Sequence, residues 1–213
     1  MNNGMSDKSA GRMAAALEAV YRAFDGRPPS VIHGCPCCIT TRGTDVLLTT
    51  PLRQITGQAL WRYVSGAFLT VGDVQDFRYL LPRVLDVSVF DPSNANYPEV
   101  VLGKLSLANW RTWEVDEQDA IEEFIDAWFE HVLEAELALA GDDEINGDIE
   151  HILCGAACAG MAPDRWFGRL DEPNVVPIVS NLKEHLPSKP SGFWEEVPEA
   201  FHQLRSFLDH RLT

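Results

Sequence analysis

The chain has 213 residues, 17 Lys/Arg against 32 Asp/Glu, and a formal charge of −15. Hydrophobic residues make up 46% and charged ones 23%, enough to build a core and too apolar for a disordered tail. Residues 1–112 hold 11 Lys/Arg and 9 Asp/Glu, whereas residues 113–150 hold 15 acids and no Lys or Arg. That distribution excludes a nucleic-acid binder, which needs a basic footprint, and a polybasic membrane-surface protein.

No apolar run approaches the roughly 18–20 residues of a membrane span. The start, Met1 to Lys8, is polar and leads into an amphipathic stretch rather than a signal sequence, so a soluble cytoplasmic protein is expected. Five cysteines in a chain of this size are too few for a disulfide scaffold.

In chain order, Met13, Leu17, Val20 and Phe24 recur at helical steps until Pro28-Pro29 stops them. A loop from Ser30 to about Gly43 carries three cysteines. Leu60, Tyr63, Val64 and Ala67 mark a second helix face. Asp73 is a good N-cap for a helix containing Phe77, Leu80 and Leu81, which Pro82 should kink or end. Val84 to Phe90 is β-branched enough for a strand, and a short helix fits too.

Val101, Leu102, Leu105 and Ala108 define the next helix, and Asp116 to about Ala140 the longest one. Gly141 to Glu144 and Asn146-Gly147 break the chain before a small-residue helix from Asp148 to Gly160. Short helices follow at Pro163 and from Pro177 to Leu186. Pro198 then opens a last helix with Phe201, Leu204, Leu208 and Leu212 on one face. No βαβ alternation occurs. The expectation is one all-α domain over 1–213, with about eight or nine helices in an irregular bundle or stacked pairs and 1–8 poorly ordered.

With Trp128 at 0° and 100° per residue, Ile121, Phe124, Ile125, Val132, Ala135 and Leu139 fall within about 60° of it. Asp119, Glu122, Glu123, Asp126, Glu130 and Glu134 fall on the opposite side. This face reads either as a solvated surface or as a docking surface for a basic protein partner. Leu133 and Leu137 lie amid the acids, so either a second packing contact covers them or they are apolar anchors in an anionic patch.

His33-Gly-Cys35-Pro-Cys37-Cys38 is the most chemically distinctive segment. Cys35 and Cys38 have zinc-knuckle spacing, with His33 and Cys37 as alternative ligands. A second ligand pair is available at Cys154 and Cys158, with His151 on the same side of its helix. A zinc site joining the two clusters, an exchangeable thiol set and plain buried thiols are the three readings.

Asp73 and Asp76 fit a capping pair. Arg78 and Arg83 fit pairing with acids elsewhere, or ligand binding. The Cys-Pro-Cys-Cys segment, the Gly-Asp-x-x-Asp-Phe-Arg-x-x-Leu-Pro-Arg segment at 72–83 and the later tryptophans resemble an uncharacterised group of bacterial all-helical proteins. The resemblance implies a bacterial source and brings no activity or cofactor.

Phosphate-loop, dinucleotide, nucleophile-elbow and H-E-x-x-H motifs are absent, and the six histidines form no recognisable nucleophile–base arrangement. Glu199-x-x-His202 is one isolated match to a di-iron motif that needs pairs. The leading expectation is a cytoplasmic interaction module for a basic partner, in one form an inhibitor or immunity-type protein. The alternative is a zinc-stabilised or thiol-responsive protein.

Overall fold

Apolar spacing and helix punctuation build an all-α chain. The computed structural model describes residues 3–35, 44–140 and 146–211, with backbone alone over 3–7. Its helices are α1 (Asn3–Ala23), α2 (Thr44–Thr49), α3 (Gly57–Gly66), α4 (Val74–Phe90) and α5 (Pro98–Leu107). Then come α6 (Val115–Leu139), α7 (Asp148–Cys158), α8 (Phe167–Leu170), α9 (Val176–His185) and α10 (Pro198–Arg211). No strand occurs among the described residues, only isolated bridges from Val71 to Gly34 and to Ala67. None of the described helices is long and apolar enough to cross a membrane.

The chain divides into two compact units, one of residues 14–124 and one of 1–13 with 125–213. In the first, α3, α4 and α5 pack against one another and bury Leu60, Tyr63, Phe77, Leu80, Leu81, Leu85, Leu102 and Leu105. Phe24 meets the Trp113 ring edge-on at 5.7 Å, and Tyr21 donates to Asp86 at 2.9 Å. Asp86 also takes Arg83 at 2.5 Å, while Arg83 Nε donates to the Ile55 carbonyl at 2.7 Å.

Proline 82 does not end its helix: α4 runs through it to Phe90, so the segment from Val84 is helix and not strand. A proline inside a helix costs about 3 kcal/mol. Phe77, Leu80 and Leu81 before it and Val84, Leu85 and Val87 after it are all buried. Each such side chain contributes roughly 1.5–3 kcal/mol, which outweighs the lost hydrogen bond.

In the second unit α10 packs on α9 and on the 3-10 turns Pro163–Trp166 and Gly192–Glu196, and α7 packs on the same two turns. Phe201, Leu204 and Leu208 supply the buried stripe of α10, with Trp194 edge-on to Phe201 at 5.7 Å. Helix α7 is buried on nearly every side, from Ile149 through Cys158. Its small residues permit that close packing.

Candidate functional site

The acidic face of α6 is turned in part on the protein's own arginines. Within the first unit, Arg78 pairs with Glu117 and Arg111 with Glu122. Within the second, Asp126 accepts Nε and Nη2 of Arg165, each at 2.7 Å, and Trp166 Nε1 at 3.0 Å. Glu130 takes Arg169 Nε at 3.1 Å, and Arg169 also reaches Glu172 at 2.9 Å. Asp119 and Glu123 are exposed, and Glu134 and Leu137 are half-buried.

The buried face of α6 is not one straight stripe. Leu133 is fully buried, so it belongs to the core and is not an anchor within an anionic patch. Ala135 is exposed, and Val132 and Leu139 are only half-buried. Glu136, 1% exposed, turns inward instead, and its Oε1 accepts the Ile149 N–H at 3.1 Å. It thereby caps the N-terminus of α7, while burial raises its pKa above the usual carboxylate range. From Phe129 on, burial follows residues 129, 133 and 136, a swing of about 100° from the earlier stripe. The unit boundary at Phe124/Ile125 falls within the same helix.

Cys154 and Cys158 are buried thiols within α7, with Cys158 Sγ 4.0 Å from the Phe193 carbonyl, and His151 is half-buried. Cys37 and Cys38 lie outside the described residues. Cys35, a half-buried thiol, belongs to the first unit, whereas Cys154 and Cys158 belong to the second. Among the described residues no three His, Cys, Asp or Glu side chains group as a metal ion requires.

Around Cys35 the backbone is well tied. Its N–H donates to the Thr70 carbonyl at 2.8 Å, and Gly72 N–H donates to the His33 carbonyl at 2.7 Å. His33, Gly34 and Cys35 face the turn Phe68–Gly72 across a cavity of about 250 Å³. Directly after that turn, Asp73 caps α4 in a full capping box. Asp73 accepts from Gln75 N–H at 2.7 Å, and Asp76 accepts the Asp73 N–H at 2.7 Å.

Tyr63 donates to Asp76 Oδ2 at 3.3 Å. Burial, helped by the hydrogen bond with Asp73, pushes the Asp76 carboxyl up to about 6. The same carboxyl–carboxylate bond holds Asp73 below its ordinary value. The pair thus holds one proton below about pH 6.

A concavity of about 1060 Å³ lies within the second unit between α8 with its preceding turn and α10. On α10 it is lined by Glu199, His202, Gln203, Ser206, Phe207 and His210, on the side opposite the core positions 201, 204 and 208. Phe207 stacks on Phe167 of α8 with ring centroids 4.3 Å apart and planes 10° apart. Asp164 and Asp171 add carboxylates, and Arg211 Nε is held by Asp171 at 2.6 Å. Core periodicity on α10 does not reveal this groove, although the isolated Glu199-x-x-His202 match lies on its lining. The available signal was Phe207, an aromatic on the polar face.

No family model, no curated protein and no solved structure matches the chain.

Proposed function

We propose that the protein is an interaction module that receives a basic protein partner on its second unit, at the acid-flanked groove between α8 and α10. One observation carries this reading: the groove holds a stacked aromatic pair outside the core, flanked by the exposed carboxylates Asp164 and Glu199, while Asp171 is taken by Arg211. The arginines around it are already engaged, Arg165 by Asp126, Arg169 by Glu130 and Arg211 by Asp171. The groove mouth therefore keeps a net anionic character, which favours a cationic partner and speeds its approach. The α6 carboxylates 122, 126 and 130 support this function less, because each meets an arginine of the same chain.

The test is charge reversal at two exposed groove positions, Asp164→Lys with Glu199→Lys, against Asp119→Lys with Glu123→Lys as the α6 control. With a defined cationic protein as probe, association with the first variant slows about tenfold at low salt and the control stays within about twofold. Equal rates for wild type and the groove variant refute the assignment.

A second reading rests on His33 and Cys35, which line one cavity with the turn Phe68–Gly72 that leads into the exposed Asp73 and the buried Asp76. With Cys38 supplied by the sequence motif, a local zinc or thiol function would use these residues. Metal analysis of protein purified without chelators tests it: about one equivalent of zinc, lost in Cys35→Ser with Cys38→Ser, supports the metal form. Less than about 0.1 equivalent removes it.

A further inference from the structure

We infer that the occupant of the α8/α10 groove is a cationic amphipathic helix of about three turns, presented by a partner protein. The inference rests on the partner-binding reading above and adds the shape and chemistry of what binds.

The shape comes from α10. Its lining positions 199, 202, 203, 206, 207 and 210 repeat at three- and four-residue steps, so they form one straight face. From Glu199 to His210 that face runs about 16 Å, the length of roughly three helical turns. His202, Gln203, Ser206 and His210 are exposed, so the trough is open along its side. A small-molecule pocket would enclose its ligand. A linear open trough beside a helix instead matches a second helix laid alongside it.

The chemistry comes from the floor and the edges. Phe167 and Phe207 are both half-buried and stack outside the core stripe of α10, an apolar anchor point in the groove. Apolar side chains at i and i+3 or i+4 of a docked helix reach such a floor. Asp164 from the turn before α8 and Glu199 from the start of α10 supply carboxylates on the two walls. Lysine or arginine on the flanks of the docked helix complements them. Gly168 lines the same groove, and a Cβ added there meets nothing within 4 Å. The wall is therefore open at that point to an incoming side chain.

The same glycine gives a clean experiment. A Cβ at position 168 meets no atom of the fold, and the residue lines the groove, so Gly168→Phe should block docking and leave thermal stability unchanged. The probes are labelled, amidated peptides of about 14 residues. One carries Leu and Phe on one helical face and Lys on the other; a second has the same composition with the faces scrambled; a third replaces every Lys by Glu.

Fluorescence anisotropy with the full chain at low salt should show the amphipathic cationic peptide binding about tenfold tighter than the scrambled one, and the acidic one not binding. Gly168→Phe should weaken the first about tenfold, with an unchanged melting midpoint. If both cationic peptides bind wild type equally and Gly168→Phe weakens both, the amphipathic-helix inference fails while the groove still receives a cationic partner; if Gly168→Phe changes neither, the groove reading fails with it. If no cationic peptide binds, both fail.

Discussion

Asp126 and Arg165 form a two-point ion pair, with Nε and Nη2 each 2.7 Å from a carboxylate oxygen, and the same carboxylate accepts the Trp166 indole at 3.0 Å. A helix face that looks like an open anionic surface in the sequence is thus partly a structural seam. Three donors on one carboxylate fix the Pro163–Trp166 turn against α6, and that turn leads into α8, one wall of the groove.

That seam has a measurable strength. A bidentate arginine–carboxylate pair at a half-exposed position contributes about 1 kcal/mol. Asp126→Ala and Arg165→Ala should each lower the urea unfolding free energy by about that amount, and the double variant should cost less than the two together. Additive losses would show that the pair carries no coupling. Charge reversal at Asp126 also disturbs folding, which makes it a poor probe of partner binding.

Leu133 and Leu137 separate by burial. Leu133 is fully buried, so Leu133→Ala should cost about 2–4 kcal/mol through lost contacts and the cavity left behind. Leu137 is half-buried, and Leu137→Ala should cost less than about 1 kcal/mol. Equal losses would contradict the swing of the buried stripe along α6.

The Asp73/Asp76 pair gives folding a particular pH dependence. Asp76 binds its proton at about 6 in the folded chain, against 3.8 for an ordinary aspartate. Between those values the folded state holds a proton that the unfolded state has released, so stability rises as pH falls through about 6. Below about 3.8 the sign reverses, because Asp73 keeps its charge in the folded state while the unfolded chain takes up both protons. Unfolding free energies at about pH 7.5 and about pH 5 should differ by about 1 kcal/mol more in wild type than in Asp76→Asn. An identical pH profile in the two proteins would show that the pair does not share a proton.

Gly72 supports that pair by absence. Its φ is +78°, and an added Cβ would lie 2.7 Å from Asp76 Oδ2 and 2.9 Å from the Tyr63 ring and hydroxyl. Gly72→Ala should therefore destabilise the chain by about 1–3 kcal/mol. Thermal melting checks this, and an unchanged midpoint would contradict the packing described here.

Legibility in the sequence followed the physics of each element. Apolar periodicity alone marks the buried positions Met13, Leu17 and Val20 of α1, Phe24 just after it, and Phe201, Leu204 and Leu208 of α10. The Asp73/Asp76 capping box needs no tertiary information either, since its partners lie three residues apart. Pro82 misled because a local helix penalty was offset by burial on both sides of it, which is a tertiary effect. The acids of α6 misled for a related reason. Arg165 and Arg169 lie 39 residues from Asp126 and Glu130, and no helical wheel shows them, whereas an acid partner for Arg78 is expected from the sequence and is Glu117 on α6. The groove stayed hidden because Phe167 and Phe207 meet only once α8 and α10 are folded together.

Hydrogen exchange of the full chain, with and without the cationic amphipathic peptide at saturation, tests the central claim most directly. The account predicts new protection concentrated in 163–171 and 198–211, the two walls of the groove. Protection confined to 116–123 on α6, with none along α8 and α10, would contradict it.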